Sequence, residues 1–199
     1  HSRSRRQRQM CIRDRSIAFT YGKASRPADV GVLRNGKVKI ITELNNDLLN
    51  HRKLGNINEI IYKSSFDDQE IQGWYITPPN FDPKKKYPLI LEIHGGTHLA
   101  YGPQFSAELQ IMAASGYIVF YNNYRGSTSY GEDFALLLQY KYSSSEDFAD
   151  HMSGIDTLIN KGFIDESNLF IAGGSAGGKA TAYAIGLTDR FNAAVAAKP

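Results

Sequence analysis

The run Leu89-Ile90-Leu91-Glu92-Ile93 is almost wholly apolar and is bounded by polar turns, the pattern of a strand buried on both faces. Such a strand needs a layer on each side, and the residues after it supply candidates. The spacing predicts a helix from about residue 105 to 115, a second buried strand over 117–124, helices around 133–140 and 146–161, a strand at 169–174, a helix from 177 to about 187, and the opening of a further strand at 192–199. Strands alternating with helices of this length imply right-handed crossovers and a largely parallel sheet, so the class is α/β.

Upstream the pattern changes. SIAFTYG, DVGVLRNG and KVKIITEL, over 16–44, read as short antiparallel strands, and Asn35-Gly36 supplies the pair that a two-residue hairpin favours. Three such strands cannot bury a core unaided. After the polar stretch Asn45 to Asn58, EIIYKSS and EIQGWYITPP read as a second strand pair ended by Pro78 and Pro79. Lys84-Lys85-Lys86, between Pro83 and Pro88, is a solvated run where no ligand is expected. The domain boundary falls near residues 45–55.

Charge and composition exclude several classes. With 42% hydrophobic and 22% charged residues the chain is too apolar for disorder, and no apolar run reaches the roughly 18 residues of a spanning helix. A single cysteine, Cys11, rules out an internal disulfide or a multi-cysteine metal site and leaves the compartment, cytoplasmic or periplasmic, open. The net charge of +3 belongs to residues 1–15, which hold six arginines against one acid; the rest of the chain is net −2. That segment has no apolar core of a secretory signal, begins with His, and reads as foreign adapter-derived sequence rather than a basic arm. A nearly neutral body argues against nucleic acid and membrane surfaces as partners. A start without Met leads us to expect a fragment.

Two short motifs carry chemistry. Gly173-Gly174-Ser175-Ala176-Gly177 fits G-x-S-x-G between an apolar strand and a small-residue helix, where a nucleophile elbow belongs. The motif demands that Ser175 sit on a strained turn and that residues 173 and 177 carry no side chain. His94-Gly95-Gly96-Thr97 follows the buried strand directly. Acyl transfer through a serine needs two N–H donors aimed at the developing oxyanion, each worth about 3 kcal/mol of barrier. Gly96 can supply one and Ala176 the other. Taken alone, His94-Gly95-Gly96-Thr97 reads better as a plain turn with His94 a structural histidine; paired with the elbow in the correct order, that becomes the minor reading. Gly173 to Lys179 also spells the G-x-x-x-x-G-K of a phosphate-binding loop, but Ala180 stands where a Ser or Thr should hold magnesium.

From about residue 53 to 199 the chain resembles the first half of the catalytic domain of the prolyl oligopeptidase family of serine peptidases, nearest its acylaminoacyl-peptidase and dipeptidyl-peptidase-like bacterial members. The residues that carry this are Leu91 to Gly96, Asn123-Tyr124-Arg125-Gly126-Ser127 with Tyr130-Gly131, Glu146-Asp147, and Gly173 to Gly178. The resemblance implies a partial α/β-hydrolase over 51–199, and over 16–50 the last blade of a β-propeller that restricts entry to short peptides. Residues 1–15 stand outside both. There are two departures: many members have Tyr where this chain has Ala176, and Pro where it has Thr97. In α/β-hydrolases the triad acid and histidine follow the serine. All five histidines here (His1, His51, His94, His98, His151) precede Ser175, and Asp189 follows it too closely.

The expected function is therefore a serine peptidase fragment that hydrolyses short peptides through an acyl-enzyme on Ser175, with Gly96 and Ala176 as oxyanion donors, inactive by itself for want of Asp and His. No metal or organic cofactor is implied, and the sequence does not set the oligomeric state. The alternatives are an esterase or lipase on the same fold, a non-catalytic interaction module, and a phosphate-loop nucleotide binder. The aromatic residues Tyr117, Phe120, Tyr121, Tyr124, Tyr140 and Tyr142 are expected in the core, His151 on the surface, and Ser143-Ser144-Ser145 at a helix N-cap.

Overall fold

The computed structural model describes residues 16–96 and 99–199, so the readings on residues 1–15, Thr97 and His98 lie outside it. The described residues form two units, one of 16–53 with 104–106, the other of 54–96, 99–103 and 107–199.

The smaller unit is an antiparallel sheet of β1 (Ser16–Lys23), β2 (Arg26–Arg34) and β3 (Lys37–Ile40), with a short helix α1 (Asn46–Leu49) after it. Asn35 and Gly36 both have positive φ, 48° and 74°, as a type I′ hairpin requires. β3 stops at Ile40, short of the expected Leu44. The reason is Asp29, which is 3% exposed and pairs with Arg26 at 3.0 Å. The Thr42 hydroxyl and the Leu44 N–H both donate to its Oδ1 at 2.9 Å, which draws the chain out of the strand path. No apolar side chain of this unit is buried among the described residues.

The larger unit is a six-stranded sheet in the order β4-β5-β7-β6-β8-β9, where β4 is Ile57–Lys63, β5 Glu70–Ile76, β6 Tyr87–Ile93, β7 Ile118–Asn123, β8 Ile164–Gly174 and β9 Phe191–Ala197. The β4–β5 and β5–β7 pairs are antiparallel and the other three parallel, so the sheet is mixed. Helix α2 (Ala107–Ala114) connects β6 to β7, α3 (Glu132–Leu136) and α4 (Ser145–Ile159) lie between β7 and β8, and α5 (Ala176–Ile185) leads to β9.

β7 shows why two apolar layers are needed. Its alternate residues point to opposite faces. Ile118 and Phe120 join Leu89, Leu91 and Ile93 under Met152, Ile155 and Leu158 of α4 and Ala180 and Ala184 of α5. Val119 and Tyr121 join Trp74 and Ile76 under Leu109 and Ala113 of α2. Each fully buried Leu, Ile or Phe stabilises by about 1.5–3 kcal/mol. Gly154 lets α4 approach, since a methyl there would overlap the Phe120 ring.

α3 ends at Leu136 rather than near residue 140. Leu138 is fully buried against Gly126, and the backbone leaves the helical path where that contact is made. Tyr140 then adopts a φ of 63° and is 96% exposed, so the expectation that it packs in the core is corrected. α4 begins as expected: the Glu146 N–H donates to Ser144 Oγ and the Ser144 N–H to Asp147 Oδ1, a reciprocal cap.

Candidate active site

β6 and β8 are parallel neighbours in a register that sets Ile93 beside Gly173. The loops after them therefore open side by side. The chain leaves β6 toward β7 and leaves β8 toward β9, in opposite directions, which places both loops at the switch point where open α/β sheets bind ligands.

At the end of β8, Ser175 has φ 56° and ψ −122°, a conformation that costs a non-glycine residue about 1–3 kcal/mol. It is held by its flanks. The Ser175 N–H donates to the Ala197 carbonyl at 2.9 Å, and the Ser175 carbonyl accepts from Lys179 N–H at 3.0 Å as α5 begins. Ser175 is exposed. A methyl at residue 173 would overlap the Gly177 carbonyl, and one at 177 the Ile93 carbonyl. A methyl at 95 would lie 3.2 Å from Ser175 Cβ, so the His94-Gly95-Gly96 turn packs backbone-first on the serine. Neither the Gly96 nor the Ala176 N–H has an acceptor among the described residues. Gly96, Tyr142, Ser175, Ala176, Lys179, Lys198 and Pro199 line an open depression of about 340 Å³.

His94 fixes this turn from beneath. It is buried, stacked on Tyr124 at 4.7 Å and met edge-on by Tyr101 at 5.0 Å. Its Nδ1 meets the Gly95 carbonyl and its Nε2 lies 2.9 Å from Ser127 Oγ, whose own proton goes to the Tyr124 carbonyl at 2.7 Å. Burial lowers its pKa below the usual histidine value. With both nitrogens engaged it serves as the structural histidine of the two readings. Among the described residues no side chain hydrogen-bonds the Ser175 hydroxyl. The phosphate-loop reading finds no cradle, because α5 starts at Ala176 and leaves no loop to wrap a phosphate.

His151, expected on the surface, is 2% exposed. α4 turns its polar residues inward because buried partners wait there. His151 Nδ1 meets Asn122 Oδ1 at 3.1 Å, Asn122 donates to the Tyr62 hydroxyl at 2.7 Å, and that hydroxyl donates to the Asp150 carbonyl at 2.9 Å. Asp150 in turn faces Arg125, a residue that only the family resemblance had singled out. Arg125 is 1% exposed. Its backbone N–H and Nε both donate to Asp150 Oδ2 at 2.9 Å, its Nη2 to Asp150 Oδ1 at 2.9 Å and Asp67 Oδ1 at 2.8 Å, and its Nη1 to Glu146 Oε2 at 3.3 Å. This ties the β4–β5 turn to the loop after β7 and to α4.

Buried His151 and half-buried Glu92 give opposing pH dependences. Burial holds His151 neutral, its pKa pushed down to about 3 against 6.5 in the open chain. Between those values the unfolded chain binds more protons, so stability is lost as pH falls, by up to about 1.4 kcal/mol per unit. Burial and then Glu108 push Glu92 up to about 7 from 4.5, so between those values the native state binds more protons and stability falls as pH rises. The two slopes oppose each other between 4.5 and 6.5, and below 4.5 only the histidine acts. Asp67, held below the usual carboxylate range by Arg125, adds to the loss in acid. Because buried His94 adds to the histidine slope, urea midpoints are expected to fall gently from about pH 6 to 5 and to drop steeply below about pH 4.5. In His151→Leu the drop becomes shallower; an unchanged acid limb would remove His151 as its cause.

Helices on both faces of a mixed sheet whose parallel strands end in these two turns make this an α/β-hydrolase segment. Residues 103–199 match the model of the prolyl oligopeptidase family. An uncharacterized peptidase of Bacillus subtilis, YuxL, is 36% identical over 175 residues, 87% of this chain and 26% of its own length. The acylaminoacyl peptidase of Pyrococcus horikoshii superposes with a TM-score of 0.83 at 33% identity, over 91% of this chain and 29% of that one. An acylaminoacyl peptidase in complex with Z-Gly-Gly-Phe-chloromethyl ketone superposes with a TM-score of 0.85 at 33% identity, over 92% and 29%. The chain belongs to the prolyl oligopeptidase family of serine peptidases. It spans 26–29% of the length of these three relatives.

Proposed function

We propose that Ser175 is the nucleophile of a peptidase acting on short peptides, with the Gly96 and Ala176 N–H groups holding the oxyanion. One observation supports this reading above the rest: an exposed serine at positive φ, packed on a glycine turn from the adjacent strand, with an N–H on each turn that has no acceptor among the described residues. Ser175 Oγ attacks the peptide carbonyl and gives its proton to a base. The tetrahedral oxyanion collapses, the amine leaves with that proton, and water then releases the acyl group by the reverse sequence. The peptide-derived chloromethyl ketone bound to a similar peptidase fits such a substrate.

No histidine follows Ser175. The reading therefore takes the base and its acid from outside these 199 residues, and takes the 199-residue chain alone to be inert. Residues 16–50 would be the last blade of a propeller and 51–199 the nucleophile-bearing part of the hydrolase domain. A fluorophosphonate probe tests the assignment. The complete gene product should be labelled at a single serine and lose the label in Ser175→Ala, while the 199-residue chain reacts at least about 1,000-fold more slowly for lack of its base. A folded complete protein that stays unlabelled rules the reading out.

A further inference from the structure

The charged side chains at the Ser175 depression are of one sign. Lys179 and Lys198 line it, and no acidic side chain does among the described residues. Lys179 stands in the first turn of α5, its N–H on the Ser175 carbonyl, and lines the depression together with Ser175. Lys198 comes from a different element. It follows Ala197, whose carbonyl accepts the Ser175 N–H, and its φ of 48° turns the chain beside the depression. Both lysines are exposed, and neither joins an ion pair among the described residues. Two positive charges thus converge on one mouth of a body that is otherwise net negative. Lys179 also completes the G-x-x-x-x-G-K string, whose phosphate-loop role the start of α5 at Ala176 removes.

We propose that Lys179 and Lys198 form a carboxylate subsite, so that the preferred peptide carries a carboxylate next to the bond that is cut. An ammonium on a flexible stem selects charge rather than shape. Its partner is therefore any carboxylate that reaches the mouth, either an acidic side chain or the free C-terminus of a short peptide. One charge-assisted hydrogen bond corresponds to about tenfold in affinity. As a statement about substrates this rests on Ser175 being the nucleophile; as a statement about binding it does not.

Calorimetric titration of the complete gene product carrying Ser175→Ala tests it without turnover. Acetyl-Ala-Glu-amide is compared with acetyl-Ala-Gln-amide, and acetyl-Ala-Ala with a free C-terminus is compared with its amide. In at least one pair the charged peptide should bind about tenfold tighter, with the advantage shrinking as salt rises. The first pair reports a side-chain carboxylate and the second a terminal one. Lys179→Met with Lys198→Met should abolish the difference, and Lys85→Met, in the solvated connector, should keep it. Equal affinities within both pairs overturn the subsite, as does a charge preference that survives the double lysine substitution. Charge preference together with an unlabelled Ser175 would keep the subsite and remove the nucleophile, so the two readings fail separately.

Discussion

Arg125→Met is expected to destabilise the larger unit by about 3–5 kcal/mol, enough to leave much of the protein unfolded at physiological temperature. The side chain sits at the meeting point of three segments. Asp150 is fully buried and gives both oxygens to Arg125, so removing the guanidinium leaves a carboxylate with neither water nor counter-charge. Asp67 and Glu146 are more exposed and contribute less, because solvent screens them. Arg125→Lys keeps one charge but loses the fork that reaches Asp150 and Asp67 together, and should fall between wild type and Met. The double variant Arg125→Met with Asp150→Leu removes both buried charges and should recover a substantial part of the loss. Arg190, whose pair with Asp156 lies at the surface, serves as the comparison: Arg190→Met should cost no more than about 1 kcal/mol. Urea midpoints of these variants settle the matter, and a loss below about 1 kcal/mol in Arg125→Met would show that the network holds nothing together.

The same network marks where reading the sequence stopped. The hairpin at Asn35-Gly36, the doubly buried strand β7 and the cap at Ser144 were each readable because their causes lie within a few residues of one another. The two motif turns were readable too, since a strained serine and its flanking glycines advertise a local backbone demand. Arg125 and Asp67 lie 58 positions apart, and His151 and Asn122 lie 29 apart. No periodicity links such pairs, so a histidine among polar helix residues looked like a surface group. Asp29 ended β3 early, and Leu138 ended α3 early, for the same kind of reason: a single buried side chain outweighed the local pattern. Tyr142 and Lys198 reach the depression through turns at positive φ nearby, at Ser143 and at Lys198 itself, which the residue types there do not announce. What the sequence hides is therefore less the framework than the long-range polar contacts that lock it.

Gly177→Ala should abolish the reactivity of Ser175 while being, on helix propensity alone, a favourable change. Residue 177 lies in the first turn of α5, where alanine is normally worth up to about 1 kcal/mol over glycine. Here the added methyl would overlap the Ile93 carbonyl and sit 2.9 Å from the His94 carbonyl oxygen. Those atoms are backbone, at the end of a central strand, and cannot turn aside. Either α5 or the His94-Gly95-Gly96 turn must move, at a cost of about 1–3 kcal/mol, which exceeds the propensity gain. Both turns contribute a proposed oxyanion donor, so a shift of about 1 Å between them should slow fluorophosphonate labelling of Ser175 about 100-fold or more. Gly174→Ala is the matched control inside the same motif. Its methyl would meet nothing nearer than the Ala197 carbonyl oxygen at 4.0 Å, so labelling should stay within about threefold of wild type. The contrast between neighbours three positions apart separates a general dislike of side chains near the serine from the specific contact of α5 with β6. A Gly177→Ala protein that is more stable and labels normally would mean that the two turns are not held in the close register on which the proposed chemistry depends.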